Sequence, residues 1–297
     1  MKKYLQPSPR LYVPNDGSTT PSPIGRGTLM ATIRKWRTKG EGLICIVISL
    51  LVIGHCAFAQ VKAYDGIWFL GFNLTRPPFD NLYVRQAVAH SLNTNYISKQ
   101  IVEEDTFPAS VIPYSMTGYD AQLKPYKFNP KFAKSLLKKA GYKLSDRRLK
   151  SITLLHTDGE KTIAIAQRIQ KDLKQIGIKV ELVQVAYRDV AKWNQHLSLQ
   201  FFNLFLMGYK AESELLFTEE ASASVADSFR LLDPLFRTSA EANFTGFSDP
   251  TVDKLLDQAS VIGQSFSIER EEKLKKINKL LYKELPVLVL FYIEKME

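Results

Sequence analysis

Polar and apolar positions change period several times along the chain, and each change marks an element. An aromatic-rich extended run from Trp68 to Leu74 is stopped by Pro77-Pro78, after which Asp80 or Asn81 offers a side-chain oxygen to the free amides opening a helix. In that helix Val84, Val88 and Leu92 fall on one face at four-residue spacing, with Arg85 and Gln86 off it. Tyr96 to Val102 continues as helix. Glu103 to Pro125, punctuated by Pro108, Pro113, Gly118 and Pro125, reads as loop. Asn129 then caps a helix with Pro130 in its first position; Phe132, Leu136, Leu137 and Ala140 form the inner face, and Gly141 ends it.

From Ser151 the periods alternate. Ser151 to His156 predicts a short strand, Glu160 to Ile176 a helix stopped at Gly177, Ile178 to Val185 a strand, Tyr187 to Leu197 a helix and Phe201 to Met207 a strand. The β-α-β-α-β order is that of a sheet with helices packed on it. Because Phe201 to Met207 is apolar on both sides, it belongs in the sheet's interior. Asp227 to Phe236 reads as helix, Ser248-Asp249-Pro250 caps another to about Val261, and Ser265 or Ser267 caps a third to about Lys283. Pro286 to Ile293 is the final strand.

Ahead of these elements stands a different kind of segment. Residues 43 to 53 form an eleven-residue apolar run, preceded by Arg34, Lys35, Arg37 and Lys39 and followed by Ala57-Phe58-Ala59. That is the layout of a secretory signal, with cleavage expected after Ala59; an uncleaved segment would act as an anchor. Met30 would give the signal an ordinary length. His55 before Cys56 argues against lipid attachment there, and Gln6 to Thr28 lacks periodicity.

The head also changes the meaning of the charge. Of 40 basic and 30 acidic side chains, residues 1 to 59 hold eight and two, which leaves 32 against 28 for the rest. Such a balance gives no reason to expect nucleic acid as a partner. With 45 % hydrophobic and 24 % charged residues, the 297-residue chain has the make-up of a globular protein with a substantial core. Both cysteines, Cys45 and Cys56, lie in the head, so the remainder has no disulfide and no thiolate metal site.

Candidate chemistry is sparse. His90, His156 and His196 show no paired spacing with Cys, Asp or Glu, and neither a nucleophile elbow, a phosphate loop nor a dinucleotide fingerprint occurs. The expectation is a protein without catalysis, metal or cofactor. Aromatic residues are the other resource: Trp68, Trp193, Tyr187, Tyr209, Phe205, Phe229, Phe236 and Phe247 suit a ligand cleft, although most such residues are core material. Tyr209 is the one favoured for a cleft, because it follows an interior strand at the edge where ligands collect in α/β sheets.

Seven motifs in order carry a resemblance to a known family. They are Gly71 to Phe79 with Val84 to Ala87, Ile112-Pro113, Gly118-Tyr119-Asp120, Ala133 to Tyr142, Leu173 to Glu181, Asn243 to Asp253 with Leu255-Leu256, and Pro286 to Tyr292. Together they resemble family 5 of the extracytoplasmic solute-binding proteins, the receptors of oligopeptide, dipeptide and nickel ABC importers. The resemblance implies an α/β, type II periplasmic-binding-protein-like lobe with a mixed sheet and flanking helices. It also implies that residues 60–293 match the C-terminal half of such a receptor behind a 1–59 leader, the N-terminal lobe being largely missing. Residues 95–261 would form the main lobe, and 66–94 with 265–297 would join the other.

By the same resemblance the function is extracytoplasmic: binding a peptide or similar small solute by lobe closure and handing it to an ABC transporter permease in the membrane. A separately encoded N-terminal lobe is an expected partner. The alternative is a remnant, an interaction module or half of a split receptor that binds no solute alone. Tyr209-Lys210-Ala211-Glu212 stands where peptide-binding members carry Trp-x-Ala-Asp, which makes Glu212 the matched acid for a peptide's amino terminus. Asp227 would fill that place if the preceding loop is an insertion, or else caps the helix after it.

Overall fold

The structure, a computed structural model, describes residues 62–143, 146–211, 227–261 and 268–295. The leader and Glu212 lie outside them. The described chain opens with strand β1 (Tyr64–Phe72) and helix α1 (Leu82–Ser91), where Asn81 accepts a hydrogen bond from the Tyr83 amide as the cap. A helical turn and a wider π-turn carry the chain to Val102, and 103–129 contains neither helix nor strand. Helix α2 (Pro130–Lys139) begins as its local chemistry dictates: the Asn129 side chain accepts from the Phe132 amide, and Pro130 takes a position where no N–H is needed. Gly141, at φ +84°, lets the chain leave the helix through the left-handed region.

Strand β2 (Ile152–Thr157), α3 (Glu160–Gln175), β3 (Val180–Val185), α4 (Val190–Ser198) and β4 (Leu204–Lys210) follow in the alternating order that the periods predict. Helices α5 (Phe229–Phe236), α6 (Pro250–Val261) and α7 (Ile268–Glu284) precede the last strand, β5 (Val287–Glu294). The five strands form one mixed sheet ordered β3-β2-β4-β1-β5. Strand β2 runs parallel to β3 and β4, while β1 is antiparallel to both β4 and β5.

Alternation along the strands divides the interior into two cores. Leu70, Leu204 and Leu206 meet α1, α2 and α3 on one face. Phe69, Phe205 and Met207 meet α4 to α7 on the other. Each fully buried Leu or Phe side chain contributes roughly 1.5–3 kcal/mol, so two faces covered by helices explain why the central strands are apolar throughout.

The described residues of the segments that the resemblance assigns to a second lobe, 66–94 and 265–297, supply β1, α1, α7 and β5 to the sheet and its two cores. Their apolar strands have their hydrogen-bond partners here, β1 with β4 and β5 with β1. Some finer expectations change in the folded chain. Phe132, placed on the inner face of its helix, is 46 % exposed, because Ala133, Leu136 and Leu137 take that face. Phe201 is exposed too, since β4 begins only at Leu204. Arg85 is buried: its guanidinium donates to the Phe79 carbonyl at 2.8 Å and to the Glu284 carbonyl at 2.6 Å, which ties α1 to the end of α7.

Candidate functional site

The sheet's topology decides where a ligand face would lie. The carboxyl ends of β2, β3 and β4 point the same way, at Thr157, Val185 and Lys210. Antiparallel pairing brings the start of β1 to that same edge, with Gly66 opposite Lys210, and the end of β5, with Tyr64 opposite Glu294. In open α/β sheets this is the edge where ligands collect.

A charged pair stands there. The Asp65 carboxylate is 3.2 Å from Lys210 Nζ, which also donates to the Glu294 carbonyl at 3.3 Å, and the Ala211 amide donates to the Asp65 carbonyl at 2.8 Å. Burial pushes the Asp65 carboxyl above its ordinary range, and the neighbouring ammonium offsets only part of this. On β2, His156 is buried with Nδ1 2.8 Å from the Thr157 carbonyl; burial lowers its pKa and favours the neutral ring.

Tyr64, next to Asp65 along β1, belongs to a cluster of tyrosines gathered from distant parts of the chain. Tyr64 meets Tyr114 edge-on with ring centres 4.9 Å apart, and both approach Tyr292 at 6.0 Å. Tyr119 lies 6.4 Å from Tyr114. Ser115 Oγ holds the segment in place by accepting from the Tyr64 amide at 2.7 Å and donating to its carbonyl at 2.8 Å. The Tyr292 hydroxyl donates to the Ser110 carbonyl at 3.2 Å, and its amide donates to Thr106 Oγ1 at 3.3 Å. Tyr64 and Tyr292 are buried whereas Tyr114 is 45 % exposed, so one aromatic wall of the cluster faces outward. Burial raises the pKa of both Tyr64 and Tyr292, which keeps them as neutral phenols.

Of the three residues the sequence singles out, Tyr209 is the last but one in β4, half-buried against the core shared with α4 to α7. Glu212 lies outside the described residues. Asp227, one position before the helix cap Ser228, accepts from the Phe229 amide, and its other oxygen pairs with the Arg270 guanidinium at the start of α7. Arg270 in turn donates to the Ala259 carbonyl at 2.6 Å. Asp227 is thus a tie between α5, α6 and α7. Next to it, Ser228 Oγ donates to the Thr117 carbonyl, which anchors the 114–119 segment to α5.

Sequence reasoning missed Asp65, Lys210 and the tyrosine cluster. Only Asp65 left a signal, an acid inside the otherwise uncharged run Ala63 to Phe72. The cluster left none, because its members meet only through strand pairing and the 103–119 segment. Among the described residues, no group of three or more His, Cys, Asp or Glu side chains is placed to hold a metal ion.

Residues 51–213 match the profile of the bacterial extracellular solute-binding proteins, family 5 Middle. The oligopeptide-binding protein OppA of Bacillus subtilis is 26 % identical over 245 residues, which span 78 % of this chain and 41 % of OppA. The peptide transport periplasmic protein SapA of Salmonella typhimurium is 29 % identical over 75 % of this chain and 38 % of its own length. The chain therefore spans about two fifths of the curated relatives it matches. Among solved structures, the periplasmic binding protein DppA of Helicobacter pylori, in complex with the peptide STSA, shares the fold with a TM-score of 0.64 at 24 % identity, over 78 % of this chain and 43 % of DppA. The murein tripeptide binding protein MppA of Escherichia coli does so with a TM-score of 0.65 at 18 % identity, over 84 % and 46 %.

Proposed function

Because the chain belongs to family 5 of the bacterial extracellular solute-binding proteins, we propose that it binds a peptide outside the cytoplasm, without chemistry, at the carboxyl end of its sheet. The bound solute passes to an ABC transporter permease. The observation that carries this reading is the outward tyrosine wall at Tyr114, which packs on Tyr64, at the same end of the sheet as the Asp65–Lys210 pair. An aromatic wall offers apolar contact to peptide side chains of many kinds, and nearby opposite charges suit a ligand that carries both an ammonium and a carboxylate. Tyr209 and Glu212 would extend that face along the chain leaving β4, with Glu212 pairing the peptide's amino terminus. Asp227 supports the face through its tie to Arg270.

Isothermal titration of the full chain with defined short peptides, monosaccharides and nickel tests this. Saturable heat is expected with peptides alone, and Tyr114→Ala is expected to weaken it roughly tenfold, the scale of one aromatic contact. Saturable binding of sugar or nickel in place of peptide would overturn the reading. A second reading draws on the two fifths of its relatives' length that the chain spans. In it, this face closes on solute only together with another lobe. Peptide heat that appears only after a relative's complementary lobe is added would favour it.

A further inference from the structure

At the opposite, amino end of the sheet the surface has another character. Two hollows of about 720 and 380 Å³ adjoin where α3 ends, Ile176 lining one and Gly177 the other. Lys150, Lys171, Lys174 and Lys179 stand around the larger, and Lys134, Lys138 and Lys143 around the smaller. All seven side chains are exposed, and neither lining includes a carboxylate. The acids nearest in sequence are committed elsewhere: Asp146 pairs with Arg148 at 2.8 Å and Asp172 with Arg168 at 3.0 Å. Glu181, further along β3, is exposed but lines neither hollow. Beneath the lysines the walls are apolar, from Leu137, Tyr142, Ile176, Ile178 and Val180.

Helix dipoles account for part of this. Lys138 and Lys174 lie in the last turns of α2 and α3, where a cation complements the free carbonyls. Lys143, Lys150 and Lys179 lie outside any helix, and Lys134 and Lys171 precede those last turns. Five like charges thus stand together without a local reason.

We propose that this face docks on an anionic lipid surface, its lysines meeting the phosphate headgroups. The chemistry of the side chains favours that partner. All seven basic residues lining the hollows are lysines, compact and strongly hydrated charges on flexible stems. Such charges suit a fluid array of phosphates, whereas one fixed anion is better held by the planar fork of an arginine. They come from α2, α3 and the segments entering β2 and β3, so they spread over a face and do not converge on a point. Attraction of a polybasic face to anionic lipid accumulates over its charges and fades within a Debye length, about 8 Å at physiological salt.

Co-sedimentation of the full chain with vesicles of phosphatidylcholine, alone or with about one-third phosphatidylglycerol, tests the proposal. The protein is expected to sediment with the anionic vesicles only, and to be released at about 1 M salt, where the Debye length is about 3 Å. The fourfold variant Lys150→Glu, Lys171→Glu, Lys174→Glu, Lys179→Glu should lower the partition roughly tenfold or more, with an unchanged near-ultraviolet circular dichroism spectrum. Should that variant not fold, the milder Lys134→Gln, Lys138→Gln, Lys143→Gln variant decides, with a smaller loss expected. Three results would overturn the proposal. One is equal sedimentation with neutral vesicles. A second is binding that survives in the lysine variants but disappears when Lys2, Lys3, Arg34, Lys35, Arg37 and Lys39 are changed to glutamine, which would assign it to the head. The third is failure to bind vesicles alongside lysine-dependent binding of polyglutamate, which would make the partner an acidic polypeptide.

Discussion

The two ends of the sheet treat charge in opposite ways. At the carboxyl end Asp65 and Lys210 are largely buried and face each other across paired strands, and the tyrosines beside them are fixed by named hydrogen bonds. At the amino end seven lysines stand in solvent with one sign and no carboxylate among them. A buried pair acts through geometry, since removing either member strands the other in a poor solvent. An exposed array acts collectively, each member being individually dispensable and screened by salt. The first arrangement suits selection of one ligand, the second adhesion to a surface.

The largest effect should come from breaking the buried pair. Asp65→Ala removes the Asp65 carboxylate from Lys210, and a loss of about 3 kcal/mol in urea unfolding is expected; a loss below about 1 kcal/mol would mean the ammonium's remaining contacts, the Glu294 carbonyl among them, satisfy it. Gly66→Ala comes next. A Cβ there would stand 2.5 Å from the Tyr209 carbonyl oxygen, so β1 must move away from β4 at the site's edge. About 2 kcal/mol is expected, with a weaker peptide titration.

A pH experiment sharpens the same end. His156 has a folded pKa below its unfolded value of about 6.5, so the unfolded chain binds more protons as pH falls. Its contribution to stability is present above that pH and is lost as pH falls through the window below it. His156→Gln should flatten the stability profile there by up to about 1.4 kcal/mol per pH unit, as read by denaturant midpoints. Asp65 has the opposite sign: its raised pKa makes protonation at lower pH favour the fold. The smallest effect is expected at the other end, where Lys174→Ala should change stability by no more than about 0.5 kcal/mol. A larger change would show that the lysines are structural.

What the sequence makes legible follows how local each feature is. Asn129, Pro130 and Gly141 announce α2 because capping is settled within a few residues, and the alternation from β2 to β4 is readable for the same reason. Burial of individual side chains is less so: Phe132 and Phe201 look like core by type, but the neighbours that would cover them are not where the pattern places them. Arg85 reads as surface until the Glu284 carbonyl arrives from the far end of the chain. The candidate site suffers most. Tyr64, Tyr114, Tyr119 and Tyr292 meet only after β1 and β5 pair, and Asp227 finds Arg270 across two helices.

Strand β3 is one of the sheet's two outermost strands, and such a strand offers a row of amides and carbonyls to any other chain that can add to it. The Lys179 carbonyl turns inward and accepts from the Ile152 amide, so the next one, that of Val180, turns out. There Gln170 reaches from α3 and donates its side-chain amide to that oxygen at 2.8 Å. With the acceptor closed and Glu181 and Gln184 exposed further along, the open side of β3 is blunted against edge-to-edge growth. Crowded copies of this protein are then discouraged from adding a strand at β3.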